Sequence, residues 1–167
     1  GTGATTIQTG TTTLGAGGAI VDMASVTVNN GAALVTGGNQ QIDDLADVTV
    51  DGTLTLGGDE VIAGLGGAAT GSVNTAGHDL EVSAPAGDAF AGQINGTGSF
   101  TVAGGEQTLT GANGFTGTAN VAGGTLNLTG GGSLATSDVT VTGTLNTDGG
   151  ALAAGTALTN GGTVNLS

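Results

Sequence analysis

The chain of 167 residues contains no Lys and no Arg, while 13 Asp and Glu residues give it a formal net charge of −13. Nucleic-acid binding depends largely on Lys and Arg contacts to phosphates, so the sequence argues against a nucleic-acid partner. An anionic membrane surface would repel such a chain, and no apolar run approaches the roughly 18 residues of a membrane-spanning helix. We therefore expect no membrane insertion of this segment.

Cysteine, Trp and Tyr are also absent, and the only aromatic residues are three Phe. The core therefore has to be thin and filled mainly by Val, Leu, Ile and Ala. A chain without Lys or Arg offers trypsin-like proteases no cleavage site. It opens at Gly1 rather than Met, so we expect either a processed natural product or a chosen segment boundary. Together these features favour an extracellular protein.

Short runs in which apolar residues alternate with Thr, Asn or Glu are the main feature that is present. Examples are Val26-Thr27-Val28, Leu54-Thr55-Leu56 and Val139-Thr140-Val141, and Gly-Gly, Asn-Gly or Asp-Gly pairs separate such runs. A period of two places one face of a strand on a core and the other in solvent. No window of about 12 residues keeps a helical apolar period. The sequence therefore predicts an all-β fold.

A repeat in the last third of the chain indicates which type of all-β fold the chain adopts. The segment Gly124-Thr125-Leu126-Asn127 recurs as Gly143-Thr144-Leu145-Asn146 and as Gly162-Thr163-Val164-Asn165, and the two steps are identical in length. A short motif that returns at one coil length is typical of a β-solenoid, in which a strand stacks on its own copy one turn later. We predict a right-handed parallel β-helix that occupies residues 1–167 as a single domain.

The spacing of the apolar runs predicts about seven coils. We interpret the strands that begin near Val26, Val48 and Val73 as successive layers of one stack, with coils somewhat longer than those at the end of the chain. The stretch between Val73 and Phe100 is longer still and contains Pro85. We expect this stretch to bulge outward as an irregular loop near residues 83–89.

Four segments resemble the strand repeat of bacterial autotransporter passenger domains. They are Leu54–Ile62, Ile94–Phe100, Gln107–Gly117 and Val121–Leu128, and the third, with its Leu-Thr-Gly-Ala-Asn-Gly-Phe-Thr-Gly core, is the strongest. The resemblance covers residues 50–130 best. It implies a right-handed parallel β-helix that is secreted across the cell outer membrane and displayed on the cell surface. In that family the repeat is a scaffold, and adhesion or enzymatic activity often lies elsewhere on the passenger.

An acidic stretch is the candidate metal site. Six of the 13 carboxylates are concentrated in one short part of the chain, at Asp43, Asp44, Asp47, Asp51, Asp59 and Glu60. Oxygen ligands on turns suit Ca²⁺, which makes Asp43, Asp44 and Asp47 candidate calcium ligands. The stretch has neither a calcium-binding nonapeptide array nor an EF-hand loop. We therefore favour a solvated acidic edge over a calcium site and expect no other cofactor.

The pair His78-Asp79 is the main candidate for catalysis, with Ser72 or Ser83 as a nucleophile, and hydrolysis by a pair of Asp residues is a formal alternative. A catalytic triad needs a third member and an oxyanion hole, and the spacing supplies neither. Polysaccharide lyases with a β-helix rely on Arg or Lys, which this chain lacks. We interpret His78 as a turn residue, predict no catalytic residues and expect that the protein is not an enzyme.

The repeat also predicts a polar surface ladder. If Leu126, Leu145 and Val164 point inward, six polar residues form an outward grid. They are Thr125, Asn127, Thr144, Asn146, Thr163 and Asn165. Aligned Asn amides hydrogen-bond along such a stack. We favour a stabilising ladder, with an ice-binding plane, a glycan-binding face or a lateral contact between rods as alternatives.

The two ends of the solenoid carry the remaining functional prediction. The final segment, Gly162–Ser167, copies its predecessors without a cap, and the first residues, Gly1–Thr13, are rich in Thr and Gly. An unguarded strand edge pairs readily with another strand. We therefore predict an extracellular structural or adhesive rod, with head-to-tail stacking into a filament as a hypothesis. The rival explanation for the uncapped ends is that flanking coils have been cut away. The alternative is a binding module for ice or for a host or surface glycan.

Overall fold

A computed structural model describes residues 2–148 and 151–167, and these residues form an all-β parallel β-helix of about eight turns. Every strand pair is parallel, and most strands pair with the corresponding strand of the turn before. The strands lie on three faces that follow one another in each turn. The predicted fold class is confirmed.

The first face carries nine stacked strands. They are β1 (Gly3–Ile7), β3 (Met23–Val28), β5 (Asp47–Val50), β8 (Gly64–Gly66), β11 (Ala86–Phe90), β14 (Glu106–Leu109), β17 (Thr125–Thr129), β20 (Thr144–Asp148) and β23 (Thr163–Leu166). A parallel bridge between Gly67 and Phe90 links the first four of these strands, which end with β8, to the last five, which start with β11.

The second face carries eight strands. They are β2 (Gly10–Thr13), β4 (Ala32–Val35), β6 (Thr53–Thr55), β9 (Ser72–Asn74), β12 (Gln93–Asn95), β15 (Ala112–Asn113), β18 (Ser133–Leu134) and β21 (Ala151–Leu152). The third face has six strands and starts later in the chain. They are β7 (Glu60–Ile62), β10 (Leu80–Val82), β13 (Phe100–Val102), β16 (Ala119–Val121), β19 (Asp138–Val141) and β22 (Ala157–Asn160). In the first two turns an isolated bridge between Ile20 and Ile42 takes the place of this face.

The structure has about eight turns where the spacing predicted seven, because one predicted stack was wrong. Val48 pairs with Leu65 on the first face, whereas Val73, which lies further along the chain, pairs with Leu54 on the second face. Short strands of the type Val-Thr-Val look alike on every face, so spacing alone assigned Val73 to the wrong one.

The irregular loop predicted near residues 83–89 is also wrong for most of its length. Residues 86–90 form strand β11, which pairs with β14. The irregularity of this segment is a bulge between Ala86 and Asp88, where the register shifts. Pro85 is accommodated immediately before the strand, where its missing N–H removes no hydrogen bond from the ladder.

The core is a continuous column of apolar side chains that runs along the inside of the three faces. Its members share near-zero exposure, and the largest include Phe90, Phe100 and Phe115. The rings of Phe100 and Phe115 are 6.2 Å apart and tilted, a favourable arrangement for an aromatic pair. Within the two described ranges, no helix is long and apolar enough to span a membrane.

Candidate functional site: a polar ladder and the two ends of the solenoid

The predicted surface ladder lies on the first face, on strands β17, β20 and β23. Thr125 pairs with Thr144 and Thr144 with Thr163, while the three Asn residues pair in the same way two positions further along. Between these columns Leu126 and Leu145 are buried, and Val164 packs against the core. The predicted stacking of the six residues is confirmed.

The three Asn side chains form a hydrogen-bonded chain along the solenoid axis. Asn165 Nδ2 donates to Asn146 Oδ1 over 2.7 Å, and Asn146 Nδ2 donates to Asn127 Oδ1 over 2.8 Å. Asn127 Nδ2 donates in turn to Glu106 Oε1 over 2.7 Å, so a carboxylate ends the chain. All three amides donate in the same direction, so their dipoles are aligned. The last acceptor is a charged carboxylate, which strengthens the hydrogen bond from Asn127.

Glu60 was expected on an exposed acidic edge, but it is a buried residue with only 1 % exposure. It starts the third face, in register with Leu80, and its side chain occupies an inward position. Its carboxylate accepts the backbone N–H of Gln41 at 3.0 Å and that of Ile42 at 3.1 Å. Burial raises the pKa of Glu60, and these two N–H groups partly oppose the rise. The segment around Gln41 and Ile42 forms no regular strand on this face. The Glu60 carboxylate therefore supplies the hydrogen-bond acceptors that a neighbouring strand would otherwise supply to it.

Two buried amides play the same part elsewhere in the column. Gln107 bridges the bulge of β11: its Nε2 donates to the Leu65 carbonyl over 2.7 Å and to the Asp88 carbonyl over 3.1 Å. Asn113 accepts the Ile94 N–H at 2.9 Å and donates to the Gly111 carbonyl over 2.9 Å. These side chains complete backbone hydrogen bonds where the strand ladder is interrupted.

The sequence contains a signal for these three buried polar residues, although sequence reasoning missed it. Glu60, Gln107 and Asn113 each stand two positions before a large apolar residue, namely Ile62, Leu109 and Phe115. Side chains two positions apart on a strand share one face, so each polar residue has to point toward the core with its apolar neighbour.

The calcium candidates do not converge. One oxygen of Asp43 accepts the Leu45 N–H at 3.0 Å and the other accepts the Met23 N–H at 3.1 Å, and the Leu45 bond in particular lowers the pKa of Asp43. Partial desolvation, together with the charge of Asp88, raises the pKa of Asp47. Asp44 is exposed. In the part of the chain that the structure describes, no group of three or more His, Asp or Glu side chains could hold a metal ion.

His78 and Asp79 lie at a corner between the second and third faces, among side chains that bond to the backbone of the next turn. Asp59 Oδ1 accepts the Asp79 N–H at 2.9 Å, and Asp79 Oδ1 accepts the Ser99 N–H at the same distance. His78 Nδ1 is 3.8 Å from Asp59 Oδ1. The Ser83 hydroxyl donates to a backbone carbonyl of the previous turn. The arrangement is a corner ladder that aligns successive turns.

The last turn exposes apolar side chains at positions whose counterparts in the turn before point into the core. Leu158 follows Val139 in its column and is 40 % exposed, and Leu166 follows Leu128 and Thr147 and is 68 % exposed. Leu152 and Val164 are partly exposed in the same layer. A hollow of about 430 Å³ at this end is lined by Thr147, Leu152, Leu166 and Ser167. The core therefore opens to solvent at this end.

The first turn carries a different set of side chains at inward positions. Thr5 stands in register with Val26, and Thr12 stands in register with Leu34, so hydroxyl-bearing residues take two inward positions that are apolar in the next turn. Ile7 is nearly buried, and Ile20 packs against the core. This end is consequently more polar than the last turn.

Comparison with protein-family models, with curated proteins and with solved structures gives no match for this chain.

Proposed function

We propose that the chain is an extracellular structural rod of a bacterial surface protein, in which the solenoid itself supplies length and stiffness. The observation that carries this proposal is the stack of parallel strands, which lie on three faces over about eight turns. Each turn advances by about 4.8 Å, the spacing of paired strands, so the stack extends to roughly 40 Å. A solid core and aligned main-chain hydrogen bonds resist bending.

Three further features support an extracellular structural role. The absence of Lys and Arg removes the cleavage sites of trypsin-like proteases, and the absence of Cys makes the fold independent of redox conditions. The resemblance of residues 50–130 to the autotransporter passenger repeat supports display on the surface of a bacterial cell. In this proposal the rod is a scaffold or adhesive stalk, and it assembles end to end with further copies of itself.

The experiment for this proposal combines solution scattering with electron microscopy of the purified chain. The proposal expects an elongated particle at low concentration and rods of increasing length as the concentration rises. A compact globular particle at every concentration would refute the structural-rod function. Incubation with trypsin and with a protease of broad specificity, each followed by mass spectrometry, tests protease resistance separately.

A second candidate function is a binding face, and the hydrogen-bonded Asn column favours it. The column and its Thr neighbours place polar groups at regular intervals on a flat strand face. A glycan hydroxyl array or an ice surface could contact such a repeating pattern. A glycan array and a thermal-hysteresis assay test the two ligands. The double variant Asn127→Ala/Asn146→Ala is the test variant, and Thr53→Ala on the second face is the control.

A further inference from the structure

Asn-Gly pairs occur at several corners of the solenoid, and their peptide groups differ in how firmly they are held. The pairs are Asn30-Gly31, Asn95-Gly96, Asn113-Gly114 and Asn160-Gly161. In such a pair the backbone nitrogen of the Gly can attack the side-chain carbonyl carbon of the Asn, because Gly has no Cβ to hinder the approach. The attack requires that the N–H loses its proton and that the peptide group between the two residues turns toward the side chain. Backbone hydrogen bonds to this peptide group therefore oppose the attack.

The peptide group between Asn30 and Gly31 has no such bonds. It lies in the turn between β3 and β4, which the Ala32 N–H closes by donating to the Asn29 carbonyl over 2.9 Å. Among the described residues, neither the Asn30 carbonyl nor the Gly31 N–H takes part in a backbone hydrogen bond. Both residues are exposed, and Gly31 has a φ of +81° with open space around it. This peptide group can consequently rotate without breaking a hydrogen bond between strands.

The pair Asn160-Gly161 shows that exposure alone is not the difference. Asn160 is exposed as well. The Gly161 N–H, however, donates to the Val141 carbonyl of the previous turn over 2.7 Å. Asn160 Oδ1 accepts the Gly162 N–H at 2.9 Å, so the side chain is also held. Both the attacking nitrogen and the attacked amide of this pair are therefore engaged.

The two remaining pairs are held by the strand ladder. The Gly114 N–H donates to the Ile94 carbonyl over 2.8 Å, and the Asn113 side chain is buried. The Asn95 carbonyl accepts the Thr75 N–H at 2.8 Å, which fixes the peptide group that leads to the next residue. Groups held in this way react only when the chain opens locally.

We propose that Asn30 is a site of spontaneous covalent modification, at which the folded chain deamidates through a cyclic imide with water as the co-reactant. The Gly31 nitrogen loses its proton to base and forms a bond to Cγ of Asn30. The side-chain nitrogen takes a proton from water and leaves as ammonia. Water then opens the cyclic imide at Cγ to give Asp, or at the backbone carbonyl carbon to give isoaspartate. Overall, a water molecule is consumed and an ammonia molecule is released.

The product changes the corner and leaves the core intact. Each event adds a negative charge to a chain that has no Lys or Arg to neutralise it. Asp51 lies at the same corner in the next turn, where its N–H donates to the Val28 carbonyl over 2.9 Å. The reaction therefore makes this corner more acidic as the chain ages. This inference is independent of the proposed structural role.

The first test follows the full chain during incubation at mildly alkaline pH, which favours loss of the amide proton. Digestion with pepsin suits a chain without Lys or Arg, and its low pH stops the reaction before mass spectrometry locates the sites at which an amide has become an acid. Since Asn113 and Asn160 react only after local opening, we expect Asn30 to deamidate at least about tenfold faster than either. Equal rates at the three sites would overturn the proposal.

The second test asks whether the fold causes this preference. In urea the backbone hydrogen bonds are lost, so we expect all four Asn-Gly pairs to react at rates within about twofold of one another. A preference for Asn30 that persists in urea would overturn the structural explanation.

A pair of matched variants assigns the product to its residue. An isoaspartyl methyltransferase with labelled S-adenosylmethionine measures isoaspartate in the incubated chain, and circular dichroism checks that each variant folds. We expect Asn30→Gln, which keeps an amide but lengthens the side chain, to remove most of the label. Asn160→Gln should leave the label unchanged. Full labelling of the Asn30→Gln variant would overturn the assignment.

Discussion

Two leucines in one column of the core differ in burial, so the same substitution at each of them tests which positions point into the core. Leu128 and Leu166 both point inward on the first face, separated by Thr147 in the strand between them. Leu128 is fully buried, whereas Leu166 in the last layer is 68 % exposed. Replacing each by Ala therefore removes the same atoms from two different environments.

The expected magnitudes differ severalfold. Leu128→Ala leaves a cavity between two packed layers, and such truncations cost about 2–5 kcal/mol. Leu166→Ala removes a side chain that is mostly in water, so its effect stays within about 0.5 kcal/mol in the monomer. With a urea dependence of about 2 kcal/mol per molar, Leu128→Ala lowers the unfolding midpoint by roughly 1–2.5 M.

Urea titration followed by far-UV circular dichroism is the suitable assay, because the chain has no Trp or Tyr for fluorescence. The titration is performed at a concentration where the chain is monomeric, since stacking would cover Leu166. The exposed flank variant Leu45→Ala serves as a control for loss of a leucine at the surface. If Leu128→Ala shifts the midpoint no more than Leu166→Ala does, the assignment of inward positions is refuted.

Three further predictions address a buried carboxylate, a close backbone contact and the polar ladder. Burial raises the pKa of Glu60, so its contribution to stability is full below its ordinary value of 4.5 and is lost as pH rises through the folded-state pKa. The thermal midpoint should therefore rise as the pH is lowered from neutrality toward 4.5, and Glu60→Gln should flatten this rise. A Cβ at Gly111 would overlap the carbonyl oxygen of Gly92 in the previous turn, so Gly111→Ala should cost about 1–3 kcal/mol in urea titration, while Gly17→Ala, with open space around it, should cost little. Asn146→Ala removes two side-chain hydrogen bonds of the ladder and should cost about 1 kcal/mol, because both bonds lie near solvent; no loss of stability would argue that the ladder has a binding role only.

The fold was predictable because its pattern is local and repeated. The identical steps from Leu126 to Leu145 and from Leu145 to Val164 fix both the register and the inward residues of the last turns, and the structure pairs them as predicted. Turns of unequal length carry no such signal. The step from Val48 to Leu65 is shorter than the step from Leu34 to Leu54, so spacing assigned one strand to the wrong face.

The buried polar residues were predictable only in part. The alternation of the strand places Glu60 inward together with Ile62. An acidic residue within a dense acidic stretch is nevertheless expected at the surface, because the sequence does not show the hydrogen-bond donors that would allow its burial. Those partners, the N–H groups of Gln41 and Ile42, are free to bond because the third face has no regular strand in that turn. A missing strand is a property of the three-dimensional path, and no pattern within residues 59–62 indicates it.

The most direct test of the solenoid measures proximity between layers in solution. Nuclear Overhauser effects between selectively labelled methyl groups report which apolar residues are in contact. We predict strong effects between Leu126 and Leu145 and between Leu145 and Val164, and only weak ones between Leu126 and Val164, which lie two layers apart. Strong effects that join Leu126 directly to Leu54, several turns away, would contradict the stacked path of the chain.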